Sequence, residues 1–535
     1  MALKKPKEIV ESIQHDVKNK NFLEPNTHFE KGEYMFGAKG TSIEKLGFPN
    51  ARDWNPEDED WKLPEGWKNT MLTGMKDRLD KFRSFKVYMD SCVRCGACAD
   101  KCHFFLGTGD PKNMPVMRTE LMRSVYKKHF TIGGKLFGKL AGARELNEDV
   151  VKEWYKYFYQ CTECRRCSVF CPFGIDTAEV TIMAREMMHE VGVGTNWILE
   201  PAGNCNRTGN HLGLQPHALQ DSLMSIVEDV KDITGIQVNP TFNRKGAEIL
   251  FITPSADFFA DPGIYTMMGY LLLFHFLDLD VTFSTYASEG GNFGLFTSHN
   301  MMKKLNGKLY AEAERLGVKW MLGGECGHMW RVIHQYMSTM WGPASFLEQP
   351  KSPATGTEFK NAKVSKFVHI AEFTADLIKN GKLPLDKSRN DHRTVTFHDS
   401  CNTARGMGLL EEPRYILNNV ANNVHEMPES TTREQTYCCG SGSGLNTNEY
   451  MEIRMRGGFP RANAVKHVQE KHGVNLLTAI CAIDRAAFPP LMNYWVPGVD
   501  VSGLHELVGN ALIMPGEKKR LVDLRGEPLE GVEEE

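Results

Sequence analysis

From residue 246 onward, short apolar runs alternate with longer amphipathic ones. Glu248–Thr253 (EILFIT) reads as a buried strand, 263–277 as a helix, and Asp280–Ser284 as a strand. A helix over 299–316 and a strand over Val318–Leu322 follow. Strand-length runs without polar alternation are covered on both faces, which predicts a parallel α/β sheet. The pattern pauses at SFLEQPKSPATGTEF (345–359), inside a linker region predicted over 345–390. It restarts with a strand at Thr394–Phe397, a helix at 412–424, a long helix at 449–472 and a strand at Asn475–Ala479. The stretches VKWMLGGECGHMWR (318–331) and VNLLTAICAIDRAA (474–487) close the two regions alike, so 246–344 and 391–515 read as two similar halves.

The chain ahead of them differs. Residues 86–200 carry helical runs such as Met117–His129 and Asp176–Val191. Residues 201–245, with PAGNCNRTGNHLG, read as a connector. Residues 1–85 are polar and broken at Pro49, Pro56 and Pro64, which predicts an irregular arm with one opening helix. The end, 516–535, reads as an acidic tail whose last residues, EGVEEE, are expected to be solvated. The predicted class is α + α/β, a helical domain followed by two α/β halves.

Composition narrows the function. At 535 residues and 41% apolar content the chain is an ordinary multidomain globular protein. Sixty-three basic against 67 acidic residues leave a net charge of −4, without the basic excess of a nucleic-acid binder. The longest apolar run, Ile264–Leu279, contains His275 and Asp278 and reads as a buried helix, not a membrane span. The opening residues hold no apolar leader and no twin arginine, so a cytoplasmic location is expected. Fourteen cysteines sit mostly in short clusters, which in that setting signals metal binding rather than disulfides.

Cys92-x2-Cys95-x2-Cys98-x3-Cys102 and Cys161-x2-Cys164-x2-Cys167-x3-Cys171-Pro172 are two [4Fe–4S] runs of the bacterial ferredoxin type. Three thiolates three residues apart wrap one cubane, and the fourth, displaced along the following helix, serves the other. This assigns Cys92, Cys95, Cys98 and Cys171 to one cluster, and Cys161, Cys164, Cys167 and Cys102 to the second. Zinc also uses Cys-x2-Cys pairs but does not call for two such four-cysteine runs.

A second set follows the α/β strands: Cys401 in HDSCN, Cys438-Cys439 in CCGSG, Cys481, and Cys326 in GECGH at the matching place of the first half. Loops at the carboxyl ends of parallel strands converge on one crevice, where these thiolates can enclose a cluster. Gly440-Ser-Gly-Ser-Gly444 follows the cysteine pair and lacks the βαβ spacing of a nucleotide fingerprint. Cys205 fits neither set and reads as a buried core residue, as the Met-rich stretches do.

Cys, a long gap, Cys-Cys-Gly, a second gap and a terminal Cys resembles the cysteine-rich CCG domain of the heterodisulfide reductase family. Two ferredoxin motifs followed by two CCG-type halves resemble that family's membrane-bound D-type subunits, and most closely the K-type subunits of sulfite-reduction-associated membrane complexes. The last CCG cysteine is Asp484 here, and Glu289-Gly290-Gly291 replaces Cys-Cys-Gly in the first half. The resemblance therefore implies one catalytic iron–sulfur cluster, cubane or non-cubane, held by Cys401, Cys438, Cys439 and Cys481, with Cys326 or Asp484 as a further ligand. It implies a quinol-oxidising cytochrome b partner in the membrane, a small sulfur-carrier protein as disulfide or trisulfide substrate, and placement on the inner membrane face. His398 is a candidate proton donor to a leaving thiolate, and His328 near Cys326 a second. Arg331 and Arg405 are candidates for balancing cluster charge or binding an anionic substrate. A second reading is an electron-transfer subunit for a flavin-dependent 2-hydroxy acid or glycerol-3-phosphate oxidising complex.

Overall fold

The computed structural model describes residues 63–447 and 450–529. Residues 63–208 are helical. Helices Trp67–Lys81, Arg83–Ser91, Pro115–Phe130, Glu148–Tyr159 and Thr177–His189 pack around Met71, Met75, Phe85, Trp154, Phe158, Met183 and Met187, all buried. The helix Glu148–Tyr159 starts where the Asn147 side chain accepts the Val150 amide at 3.0 Å. Glu148 and Asp149 then face the positive end of its dipole. The two cysteine loops leave the ends of helices Arg83–Ser91 and Glu148–Tyr159, so both are held by rigid elements.

The rest is two parallel sheets. The first has strands β1 (Thr241–Phe242), β2 (Ile249–Ile252), β3 (Val281–Phe283), β4 (Trp320–Gly323) and β5 (Phe367–His369) in the order β1-β3-β2-β4-β5. The second has β6 (Val395–His398), β7 (Leu476–Ala479) and β8 (Asp500–Ser502) in sequence order. A parallel bridge from Val395 to Val424 adds a fourth position beside β6. Read from β3, the orders β3-β2-β4-β5 and 424-β6-β7-β8 match, so the halves share one topology with β1 as an addition. Strands β2, β4, β6 and β7 are buried at every position, as sheets covered on both faces require.

The halves press together through helices Asp261–Phe276 and Leu504–Ala511. They approach so closely that a Cβ on Gly269 would overlap the His505 carbonyl oxygen. A buried ion network seals the contact. Arg485 of the second half lies between Asp257 and Glu325 of the first, and His505 Nδ1 is 2.7 Å from Glu325.

Several expected boundaries shift. The predicted linker 345–390 contains β5 and the helix Ile370–Lys379, which complete the first half. A three-residue strand that runs straight into the next helix at Ile370 carries too little periodicity to register in the sequence. The predicted connector 201–245 holds the helix Pro216–Thr234 and β1. Within the predicted acidic tail, residues 516–529 pack down with Leu524 fully buried, while EGVEEE (530–535), the part expected to be solvated, lies outside the described residues. The expected arm also lies outside them up to residue 62. Its last part is the helix Trp67–Lys81, tied to the helical domain by Arg78, which pairs with Glu186 (3.0 Å) and Glu190 (2.7 Å). The run Ile264–Leu279 falls within and just after the buried helix Asp261–Phe276, and no helix among the described residues is long and apolar enough to cross a membrane.

Candidate metal centres

The two ferredoxin-type loops have one backbone shape. Arg94 and Gly96 in the first, and Glu163 and Arg165 in the second, all take positive φ (58°, 79°, 53° and 63°). These left-handed residues stand two and four places after the first cysteine and curl each loop, so that successive thiols turn inward. One cavity is lined by Cys92, Cys95, Cys98, Cys167 and Cys171. A second is lined by Cys102, Cys161, Cys164 and Cys167. Cys167 and Pro115 border both, so the two chambers adjoin. Cys95 is exposed and Cys164 is buried, which orders the chambers from surface to interior.

The third group sits at the strand ends. Cys401 opens the helix Cys401–Met407 after β6, and Cys481 caps the helix Ala482–Trp495 after β7. Cys438-Cys439 ends in Gly440, at φ 87°, where a Cβ would lie 2.6 Å from the Gly458 amide nitrogen. No other residue lets the pair lie this close to the helix Met451–His472. Cys164, Cys401 and Cys439 crowd around Cys438 and hold its pKa well below the usual thiol range. Cys438 Sγ is also 3.3 Å from Thr162 Oγ1. Cys164 and Thr162 belong to the second ferredoxin-type loop, so that loop is seated directly on the CCG cysteines.

Close glycine contact makes this seat. A Cβ on Gly107, in the helix His103–Thr108, would lie 2.1 Å from the Arg456 carbonyl oxygen. His103 bridges the two parts, with Nδ1 2.9 Å from Gly457 O and Nε2 2.8 Å from Thr162 Oγ1. The sequence signalled this residue only as a departure, Cys102-His103 where the second run ends Cys171-Pro172. Arg405 Nε donates to the Cys164 carbonyl at 2.5 Å, and Arg331 Nη1 to the Glu163 carbonyl at 3.1 Å. Both arginines thus pin the second loop to the α/β halves.

The remaining candidates divide. His398 Nε2 is 3.3 Å from Asp484 Oδ2, and Asp484 also hydrogen-bonds to Cys439. His328 Nδ1 is 4.0 Å from Cys481 Sγ, and burial pushes its pKa down to about 4. Cys326 caps the helix Gly327–Val332 in the same extended conformation as Cys481 and lies near it. Cys205 stands apart, in an apolar cluster with Leu199, Ala202, Met301 and Leu305.

In the first half, Ser255 follows β2 as Cys401 follows β6, and Glu289 stands in the Cys-Cys place. The Ser255 hydroxyl and amide both donate to Glu289 Oε1, and His211 Nδ1 lies 2.6 Å from it. Burial alone would raise the Glu289 pKa, but His211 and Ser255 hold it below the usual carboxylate range. A hydrogen-bonded Ser–Glu–His set fills the place that thiolates take in the second half.

The donor chemistry fits iron–sulfur clusters. Each cubane with four thiolates is a buried anion, and buried charge needs compensation. Arg118 and Arg454 are buried beside the cysteines, and Arg461 behind them, with no carboxylate ion pair among the described residues. Near the CCG cysteines, His398 Nδ1, His328 Nε2 and Asn402 Oδ1 are buried without a hydrogen-bond partner.

The family model for a 4Fe-4S dicluster domain matches residues 88–175, and that for a cysteine-rich (CCG) domain matches 395–482. The chain is 53% identical over 492 residues to an Hdr-like menaquinol oxidoreductase iron-sulfur subunit of Archaeoglobus profundus, covering 88% of each. It is 51% identical over 539 residues to iron-sulfur subunit 2 of the same description in Archaeoglobus fulgidus, covering 96% of this chain and 97% of that one. The chain belongs to the Hdr-like iron–sulfur subunit family. This Hdr-like chain is also 26% identical to the D-type subunit of the dihydromethanophenazine:CoB–CoM heterodisulfide reductase of Methanosarcina mazei, over 67% of its own length and 79% of that protein's. It is an oxidoreductase subunit with two [4Fe–4S] clusters in the dicluster domain and a further iron–sulfur cluster in the CCG domain.

Proposed function

We propose that this subunit passes electrons from a quinol-oxidising cytochrome b partner, in a membrane-bound complex, to a disulfide-type bond at the CCG cysteines. The seat of the second ferredoxin-type loop on Cys438 carries this reading, because it leads the cysteine chambers inward from exposed Cys95 to buried Cys438. Cys92, Cys95, Cys98 and Cys171 would hold the outer cluster and Cys102, Cys161, Cys164 and Cys167 the inner one. Cys401, Cys438, Cys439 and Cys481 would hold the third. When bound, that cluster supplies single-electron chemistry toward a sulfur–sulfur bond.

This chain's residues do the rest. The overall change is RSSR′ + 2e⁻ + 2H⁺ → RSH + R′SH, so the site must deliver two protons to sulfur. His398, 3.3 Å from the Asp484 carboxylate, and His328, beside Cys481, are the two buried imidazoles near enough to carry them. Burial of all five nearby thiols excludes water from the reacting sulfur. Cys326, which caps the matching helix of the first half, would be an additional ligand. Resemblance to the sulfite-reduction complexes supports a disulfide or trisulfide on a small sulfur-carrier protein in dissimilatory sulfur metabolism. The archaeal relatives' descriptions support menaquinol as the electron source. This reading puts the subunit at the inner membrane face, where a reducing cytoplasm keeps thiolates available to clusters.

The test is anaerobic reduction of a carrier-protein disulfide by the cluster-loaded subunit with a reduced dye. Cleavage that is lost in Cys401→Ser supports the reading. No cleavage by protein that holds its third cluster would leave electron transfer to a flavoprotein partner as its role.

A further inference from the structure

Four of the most exposed large apolar side chains of the molecule lie within nine residues. Ile132 is 80% exposed, Leu136 73%, Phe137 63% and Leu140 94%. Single exposed apolar residues are ordinary, whereas a contiguous group marks a contact surface. The segment is built, not loose. Thr131 Oγ1 accepts the Gly134 amide at 3.1 Å, and a Cβ on Gly134 would lie 2.0 Å from the Lys127 carbonyl oxygen. The turn therefore folds hard against the end of the helix Pro115–Phe130. The Ala143 amide donates to Gly138 O at 3.0 Å and the Arg144 amide to Ser124 O at 2.9 Å, which locks the return. The fold projects these four side chains outward on a fixed knob.

Charge selects the occupant. From Leu121 to Arg144 the chain has six Lys or Arg and no Asp or Glu; Arg123, Lys127 and Arg144 pair with Glu120 and Glu153 outside that stretch, which leaves the charge of the knob to Lys128, Lys135 and Lys139. Lys135 and Lys139 are exposed between the apolar residues themselves, and Lys128 stands at the knob's base. Protein interfaces are depleted of lysine at their core. Interleaved lysine, leucine and phenylalanine on a projecting element is the composition that lies in the headgroup–acyl boundary of an anionic membrane.

We propose that Ile132–Leu140 is a lipid-contacting knob, through which this subunit seats directly on an anionic bilayer surface. The position of Gly142, where a Cβ would stand 3.2 Å from Arg94 Nη2, sets the knob beside the Cys92–Cys98 loop. Lipid contact thus brings the outer cysteine chamber to the membrane, where the proposed electron source is. The lipid contact does not itself rest on the electron-transfer reading.

The experiment is co-sedimentation of the full-length, cluster-loaded subunit with phosphatidylglycerol or phosphatidylcholine vesicles at low and high salt. Phosphatidylglycerol vesicles should bind it, with binding weakened by salt. Phe137→Ser and Leu140→Ser should each lower the partition coefficient on the order of tenfold. Lys135→Gln and Lys139→Gln should each lower it roughly fivefold on the anionic vesicles alone. Iron content should stay at the wild-type level in all four variants, which separates lost contact from lost fold. Absence of binding to phosphatidylglycerol overturns the proposal. So does undiminished binding by the Phe137 and Leu140 variants. Binding only to vesicles that carry a membrane protein partner would make the knob a protein contact, and equally overturns it.

Discussion

Arg485→Met removes the guanidinium that ties the first half's buried carboxylates, Asp257 and Glu325, to the second half. Arg485 is 2% exposed and Asp257 and Glu325 are fully buried, so no water replaces the lost partner. The two acids do not suffer equally. Glu325 keeps the Leu504 amide (3.1 Å), the His505 amide (2.9 Å) and His505 Nδ1 (2.7 Å). Asp257 keeps only the Thr253 hydroxyl at 2.6 Å. Breaking a buried pair by removing one member costs about 3–5 kcal/mol. At roughly 2 °C per kcal/mol for a large cooperative unit, the melting temperature should fall by roughly 6–10 °C. Burial already pushes the Asp257 pKa up to about 6 against the pull of Arg485. Without Arg485 it rises further, so Asp257 takes up a proton on folding and the variant gains stability as pH falls from 8 toward 6. Asp257→Asn in the Arg485→Met background should return about half the loss, since an amide needs no counter-charge. The assay is a double-mutant cycle by thermal unfolding of cluster-loaded protein at pH 6 and 8. A single variant within about 1 kcal/mol of wild type, or a double variant no better than Arg485→Met, would refute the assignment of the cost to Asp257.

Cys401→Ser should lose the iron and spectroscopic signature of the third cluster while the two dicluster signals persist, as read by iron analysis and electron paramagnetic resonance. Gly440→Ala forces a Cβ against the Gly458 amide at positive φ; it should cost about 2 kcal/mol or more and also deplete the third cluster, measured by melting temperature and iron content. Burial would lower the His299 pKa, but hydrogen bonds to Glu179 and Glu186 outweigh it and push it up to about 9. Its contribution, at most about 3 kcal/mol, is whole below pH 6.5 and lost as pH rises through 9. His299→Gln should therefore flatten the fall in stability between those limits in urea titrations.

Much of this protein is written in local spacing. Three-residue cysteine intervals wrap a cubane wherever they occur, so the dicluster chemistry is legible without a fold. Uninterrupted apolar runs such as EILFI and NLLTA are covered on both faces in any parallel sheet, and they marked β2 and β7 together with Cys481 at a strand end. The repeat of Cys326 and Cys481 after matching strands was legible for the same reason. Strand β5 was not, because three residues between Lys366 and Ile370 give no period, and its place beside β4 comes from pairing across the chain. Nor was the filling of the first half's vacated site, since Ser255 and His211 have no motif and meet Glu289 only through folding. The seat of Thr162 and Cys164 on Cys438 joins residues 276 positions apart for the Thr162 contact. Sequence alone determined which chemistry the chain carries, because metal-ligand spacing and strand hydrophobicity are properties of neighbours. Tertiary structure alone decided where the centres stand and what neutralises them, because buried arginines, glycine-thin contacts and the loop on Cys438 depend on close packing between distant segments.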